Sequence, residues 1–127
     1  MSSDPYNARV RALFAAPAHA GTCAEGLQVL RDEQGVQIEL SARARNGVIK
    51  ELRFRATACP HVLAACEAFC AEHEGCEVSR LDAFTARDLM QSLAVPVQKS
   101  GRILVLEDAV RMLGAAIRNA SNPARQY

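Results

Sequence analysis

The sequence predicts an α+β fold: a three-stranded antiparallel meander with helices packed on one face. Three observations predict it. Apolar residues alternate with period two from Leu27 to Ala56, turn signals at 32–35 and at Asn46-Gly47 divide that run, and the chain beyond Cys59 follows helical spacing. Strands come together and helices come after them, so a doubly wound sheet built from alternating strands and helices is excluded. The 127 residues suit one domain, 1–127, with a frayed tail at about 121–127.

At the start of the chain Asp4 or Ser3 is placed to cap a helix with Pro5 at its first position, and Val10, Leu13 and Phe14 fall on one side of it through about Ala15. The stretch to Thr22 carries Pro17, His19 and Gly21 without a period and reads as a surface connection with a solvated His19. Leu27 and Val29, then Val36, Ile38, Leu40, Ala42 and Ala44, then Val48, Lys50, Leu52, Phe54 and Ala56 mark the inward positions of three strands. Asp32-Glu33-Gln34-Gly35 suits the first hairpin and Asn46-Gly47 is a type I′ signal for the second. Gln37, Glu39, Ser41, Arg43, Arg53 and Arg55 occupy the alternate positions, so one face is wet and the other needs cover.

Helices supply it. Cys59 stands where a cap is expected, with Pro60 at the first helical position, and Leu63, Cys66, Phe69, Cys70 and His73 continue to a terminator at Gly75. Ser79 to Phe84 forms a short helical turn, Thr85 caps Ala86 to about Ala94 through its side chain, and Pro96 closes that segment. Ser100-Gly101 reads as a turn before a long helix from Arg102 to about Asn119, with Leu106, Ala109, Val110, Leu113 and Ile117 on one side.

Composition removes several functions. Fifteen basic against fourteen acidic residues leave a net charge of +1, too little to hold nucleic acid or an anionic membrane surface. No apolar run approaches the roughly 18 to 20 residues needed to cross a bilayer. The first residues lack a basic segment followed by an apolar one, so a cytoplasmic protein is expected. Five cysteines, an odd number, favour free thiols, metal ligands or reactive sulfur over a disulfide framework. There is no G-x-S-x-G, phosphate-binding glycine loop or H-E-x-x-H, and the acidic pairs Glu107-Asp108 and Asp32-Glu33 read as solvated helix and turn residues.

Cys59 carries the most chemistry. At the start of a helix, exposed N–H groups and the positive end of the dipole stabilise a thiolate, which makes it a nucleophile, a sulfur acceptor or a metal ligand. The plain alternative is a half-buried cysteine that happens to cap a helix. Cys66, Cys70 and His73 share a helical face and Cys76 follows, but a zinc site draws paired ligands from two elements and no second pair exists. Cys66 and Cys70 lie on the stripe of Leu63 and Phe69, so a place in the core is preferred; His73 and Cys76 are read as capping or exposed, and Cys23 has no partner nearby in sequence.

Several strings resemble the NifU/IscU family of iron-sulfur cluster scaffolds, over roughly Tyr6 to Ala120. Tyr6-Asn7-Ala8-Arg9-Val10 is similar to that family's first helix. The run from Asn46 through Val48-Ile49-Lys50-Glu51-Leu52-Arg53-Phe54 to Cys59 resembles its third strand entering the second cluster cysteine. Leu93-Ala94-Val95-Pro96-Val97-Gln98-Lys99 resembles its Leu-Pro-Pro-Val-Lys segment, and Leu106-Glu107-Asp108-Ala109-Val110 the start of its last helix.

The resemblance implies a site where three loops converge, an iron-sulfur cluster or zinc as its cargo, a cysteine desulfurase as sulfur donor, and an assembly chaperone read by Pro96, Val97 and Lys99. In this chain the first family cysteine falls at Glu33, its companion Asp at Gly35, and the His-Cys pair at Gly101 and Arg102, so Cys59 alone is kept. One thiol and one carboxylate fall short of the four ligands a cluster takes, and Arg102 cannot ligate. The expectation is therefore a noncatalytic, degenerate scaffold-like protein: an accessory, a sulfur acceptor at Cys59 or a regulator of the desulfurase. Glu33 and Arg102 are expected to form an ion pair beside Cys59, in one shared pocket. The competing readings are a divergent iron- or zinc-binding module using Cys59 and His61, perhaps joined by Glu33; a thiol enzyme or sulfur carrier; and a structural domain with an inactive site.

Overall fold

The computed structural model describes residues 7–120. Its order is α1 (Ala8–Ala15), β1 (Leu27–Glu33), β2 (Val36–Arg45), β3 (Val48–Thr57), α2 (Pro60–His73), α3 (Arg80–Ala83), α4 (Ala86–Ser92), a 3₁₀ turn (Val97–Lys99) and α5 (Ser100–Ala120). The strands form one antiparallel sheet in the order β1-β2-β3. Both hairpins turn through left-handed backbone, at Gln34-Gly35 and Asn46-Gly47, the geometry that matches the twist of the strands.

One face of the sheet carries Ile38, Leu40, Leu52 and Phe54, all buried against Phe69 of α2 and Leu106 and Leu113 of α5 in a single core. The inward pattern breaks once. Between Arg43 and Ala44 the β2–β3 register shifts, with Arg43 opposite Glu51 and Ala44 opposite Ile49, so Lys50 is the extra residue of a bulge. The bulge resets the phase: Ile49 is buried and Lys50 exposed, where unbroken alternation would place Lys50 inward.

Several helix ends also differ from expectation. The Asp4/Ser3 cap lies outside the described residues, as does the tail from 121, and the described α1 begins after Asn7, whose side chain accepts the Val10 N–H at 2.9 Å. Thr85 makes no side-chain cap; the Ala86 N–H goes to the Glu107 carboxylate at 2.8 Å, which takes Glu107 out of the solvated set. Ser100 and Gly101 are helical, because the 3₁₀ turn runs directly into α5.

The segment between α1 and β1 crosses the polar face of the sheet. Phe54 on β3 donates to the His19 carbonyl at 3.0 Å and accepts from Gly21 at 2.8 Å, while Cys23 N–H reaches Ser41 Oγ at 2.9 Å on β2. Gly26 then passes so close to β2 that a Cβ there would lie 2.6 Å from the Ala42 carbonyl oxygen, so only glycine fits. His19 is not solvated: its backbone N–H and its ring both bond to the Glu67 carboxylate, and its Nε2 lies 3.3 Å from Glu74. Glu74 in turn accepts from Leu52 N–H at 2.9 Å and Arg53 at 2.6 Å, which with the Gly75–Ile49 and Ile49–Cys76 backbone bonds covers the outer edge of β3.

Candidate functional site

Cys59 follows β3 as the residue before α2, in extended backbone with Pro60 opening the helix. Proline is tolerated there because the first helical N–H has no intrahelical partner. The Cys59 carbonyl takes the Val62 and Leu63 N–H groups at 3.0 and 3.1 Å, and its sulfur makes no cap hydrogen bond. The sulfur nevertheless sits in a positive field. Burial raises the thiol pKa, but the Val62 N–H, the Arg102 guanidinium, the His61 N–H and the Lys99 ammonium together outweigh it, and the net direction is down.

Arg102 reaches this place because the 3₁₀ turn, which ends at Lys99, runs straight into α5 and sets Arg102 in its first turn, three residues on and so on one side. Lys99 was legible only as part of the Pro96–Lys99 string; its charge also bears on Cys59 and His61. Within that string Pro96 is half-buried and Val97 is 87% exposed. His61 has no accessible surface, and burial, followed by the Lys99 charge, lowers its pKa, which favours the neutral imidazole.

Glu33 ends β1 at the same end of the sheet, since it pairs with Val36 while Gln37 pairs with Thr57. Its carboxylate does not meet Arg102: it accepts Arg31 Nη2 at 2.7 Å and Nε at 3.1 Å. Arg31 and Glu33 are two residues apart on one strand and so share a face, a shorter reach than any across the loops. Arg102 is thus beside Cys59, while Glu33 is engaged on its own strand. A groove of 760 Å³ lies at the other end of the sheet among Arg45, Gly47, Val78 and Ile117, and an apolar groove of 510 Å³ beside α2 is lined by Phe14, Phe54, Ala56 and Leu63.

The other thiols are structural. Cys66 and Cys70 are fully buried and burial pushes both pKa values up. Cys23 is buried with its S–H directed to the Ser41 carbonyl, burial again raising its pKa. His73 is buried, its Nδ1 2.9 Å from the Phe69 carbonyl and its ring stacked on Phe69, and Cys76 donates to the Glu72 carbonyl. The His19–Glu67–Glu74–Arg53 network escaped sequence reasoning; its one signal is a charged Glu67 in the otherwise apolar run Ala64 to Cys70.

The residues at this tip do not fit a metal or cluster. Cys59 is the only thiol there, Glu33 is engaged by Arg31, and the charges of Arg102 and Lys99 bear on the sulfur. Among the described residues no group of three His, Cys, Asp or Glu is placed to hold a metal ion. Nor, among them, is any helix long and apolar enough to cross a membrane.

The sequence matches no protein-family model and no curated protein. Its fold does match solved structures. A hypothetical protein superposes with a TM-score of 0.58 at 15% identity, covering 80% of this chain and 96% of that one. The N-terminal part of a nitrogen-fixing NifU-like protein from Brucella abortus gives 0.53 at 21% identity, over 91% of this chain and 82% of that one. A SUF-system protein from Fervidobacterium islandicum AW-1, described as a putative iron-sulfur cluster assembly scaffold, gives 0.57 at 13% identity, over 84% and 82%. The α+β architecture expected from the alternation and the resemblance is thus the one found: this chain has the NifU/IscU-type fold.

Proposed function

We propose that this protein serves iron-sulfur cluster assembly in the cytoplasm as a noncatalytic accessory that accepts sulfur on Cys59 from a cysteine desulfurase, rather than as a scaffold that holds a cluster. The observation that carries the reading is the set of positive groups around Cys59: the α2 N–H groups, Arg102 and Lys99. They shift the thiol toward thiolate, and the thiolate is the form that attacks a sulfur–sulfur bond. Cys59 Sγ bonds to the outer sulfur of the donor's persulfide, the donor's S–S bond breaks, and the donor cysteine leaves as thiolate. One thiolate is consumed and one released, with no net oxidation. Pro96, Val97 and Lys99 are the segment proposed to meet an assembly chaperone, with Val97 the most exposed large apolar side chain described.

Incubation with cysteine and a desulfurase, followed by mass spectrometry, tests the reading. One added sulfur on Cys59, absent in Cys59→Ser, supports it; an unmodified Cys59 while the desulfurase is turning over defeats it. The metal-module reading has less support, because His61 is buried and the cations oppose a metal ion. Metal analysis of protein purified without chelator separates the two.

A further inference from the structure

The two edges of the sheet are treated differently. The outer edge of β3 is covered by His19–Gly21, by Gly75–Val78 and by the Glu74 carboxylate. β1 has no such cover: among the described residues, none of Leu27–Glu33 makes a backbone hydrogen bond outside the β1–β2 pairing. It carries no proline, lysine or bulge, and its charges, Arg31, Asp32 and Glu33, fall in its C-terminal half, leaving Leu27–Leu30 without an edge-blunting residue. Four of the six large apolar side chains exposed among the described residues are on these two elements: Leu27 on the α5 side of β1, Leu30 on its other face, and Leu104 and Met112 on α5. Leu104 and Met112 flank Asp108, which lies 3.7 Å from Arg31, so they run along the same edge.

We propose that β1 pairs antiparallel with β1 of a second copy, joining two sheets into one of six strands. Leu30 is the middle of the seven-residue strand. A two-fold axis through it pairs the whole strand: Leu30 with Leu30, Val29 with Arg31, Gln28 with Asp32 and Leu27 with Glu33. No like charges stand opposite each other, and Arg31 is already compensated by Glu33 and Asp108 in its own copy. Moving the axis to Arg31 would set guanidinium on guanidinium and leave Leu27 unpaired. α5 runs antiparallel to β1, with Asp108 at Arg31 and Ile117 beside Leu27 on the wide groove, so the same axis turns Leu104 of one copy toward Met112 of the other. The two Cys59 tips then lie at opposite ends of the joined sheet, and the proposal is independent of the sulfur-acceptor reading.

Sedimentation velocity of the full chain over a concentration series is the test. A concentration-dependent dimer is expected, and Leu30→Lys, exposed and so compatible with folding, raises its dissociation constant by more than about a hundredfold because two ammonium groups meet at the axis. In a Cys59→Ser, Cys76→Ser background, Leu30→Cys crosslinks to a covalent dimer under mild oxidation while Gln28→Cys, displaced from the axis, does not. A monomer at every concentration, or a dimer indifferent to Leu30→Lys, overturns the proposal.

Discussion

Arg31 and Glu33, two residues apart on β1, close on each other at 2.7 Å, and that contact engages the Glu33 carboxylate on its own strand. The chemistry of the tip is thereby left to one thiol and the cations around it.

The first expectation concerns reactivity. Alkylation of Cys59, followed against pH, reaches half-maximal rate below the ordinary thiol value of about 8.5. Arg102→Leu moves that midpoint upward, since the guanidinium favours the thiolate. A midpoint the substitution leaves unchanged removes Arg102 from the account.

Placing thiols where the resemblance puts the family's ligands is a second measurement. In Glu33→Cys/Arg102→Cys the cations are reduced by one and the tip holds three thiols, so stoichiometric zinc is expected from the double variant and not from the wild type. Gly35 is left alone because its φ of 72° strains any side chain. Absence of zinc from a folded double variant means that 33 and 102 lie too far apart to share an ion.

The His19–Glu67 contact ties the segment crossing the sheet to α2. Glu67→Ala leaves the His19 N–H without its acceptor, for an expected loss of about 1–3 kcal/mol in denaturant unfolding. Gly26→Ala, forced against the Ala42 carbonyl, costs about 1–3 kcal/mol by overpacking. An unchanged midpoint for either variant contradicts the contact on which it rests.

Glu74 supplies a pH dependence. Burial raises its pKa, but the Leu52 N–H and Arg53 outweigh that, and the folded value is depressed. A depressed carboxylate stabilises the fold above its unfolded pKa of about 4.3, and the contribution fades as pH falls through the lower folded value. The stability gap between wild type and Glu74→Gln is therefore full at neutral pH and shrinks in acid. A gap that widens in acid reverses the sign.

Period-two alternation, two left-handed hairpin turns and a proline opening α2 were enough to determine the meander, its covering helices and the place of Cys59 from sequence, because these are local preferences of neighbouring residues. Other features depended on distances between residues far apart in the chain. The bulge that exchanges Lys50 for Ile49, the Ala86 N–H taken by Glu107 in place of a Thr85 cap, and the capture of His19 by the buried Glu67 are all decided by which groups the packed chain brings within hydrogen-bonding reach. Glu33 chose between two arginines on the same ground: Arg31 is held beside it by the strand, and Arg102 is not.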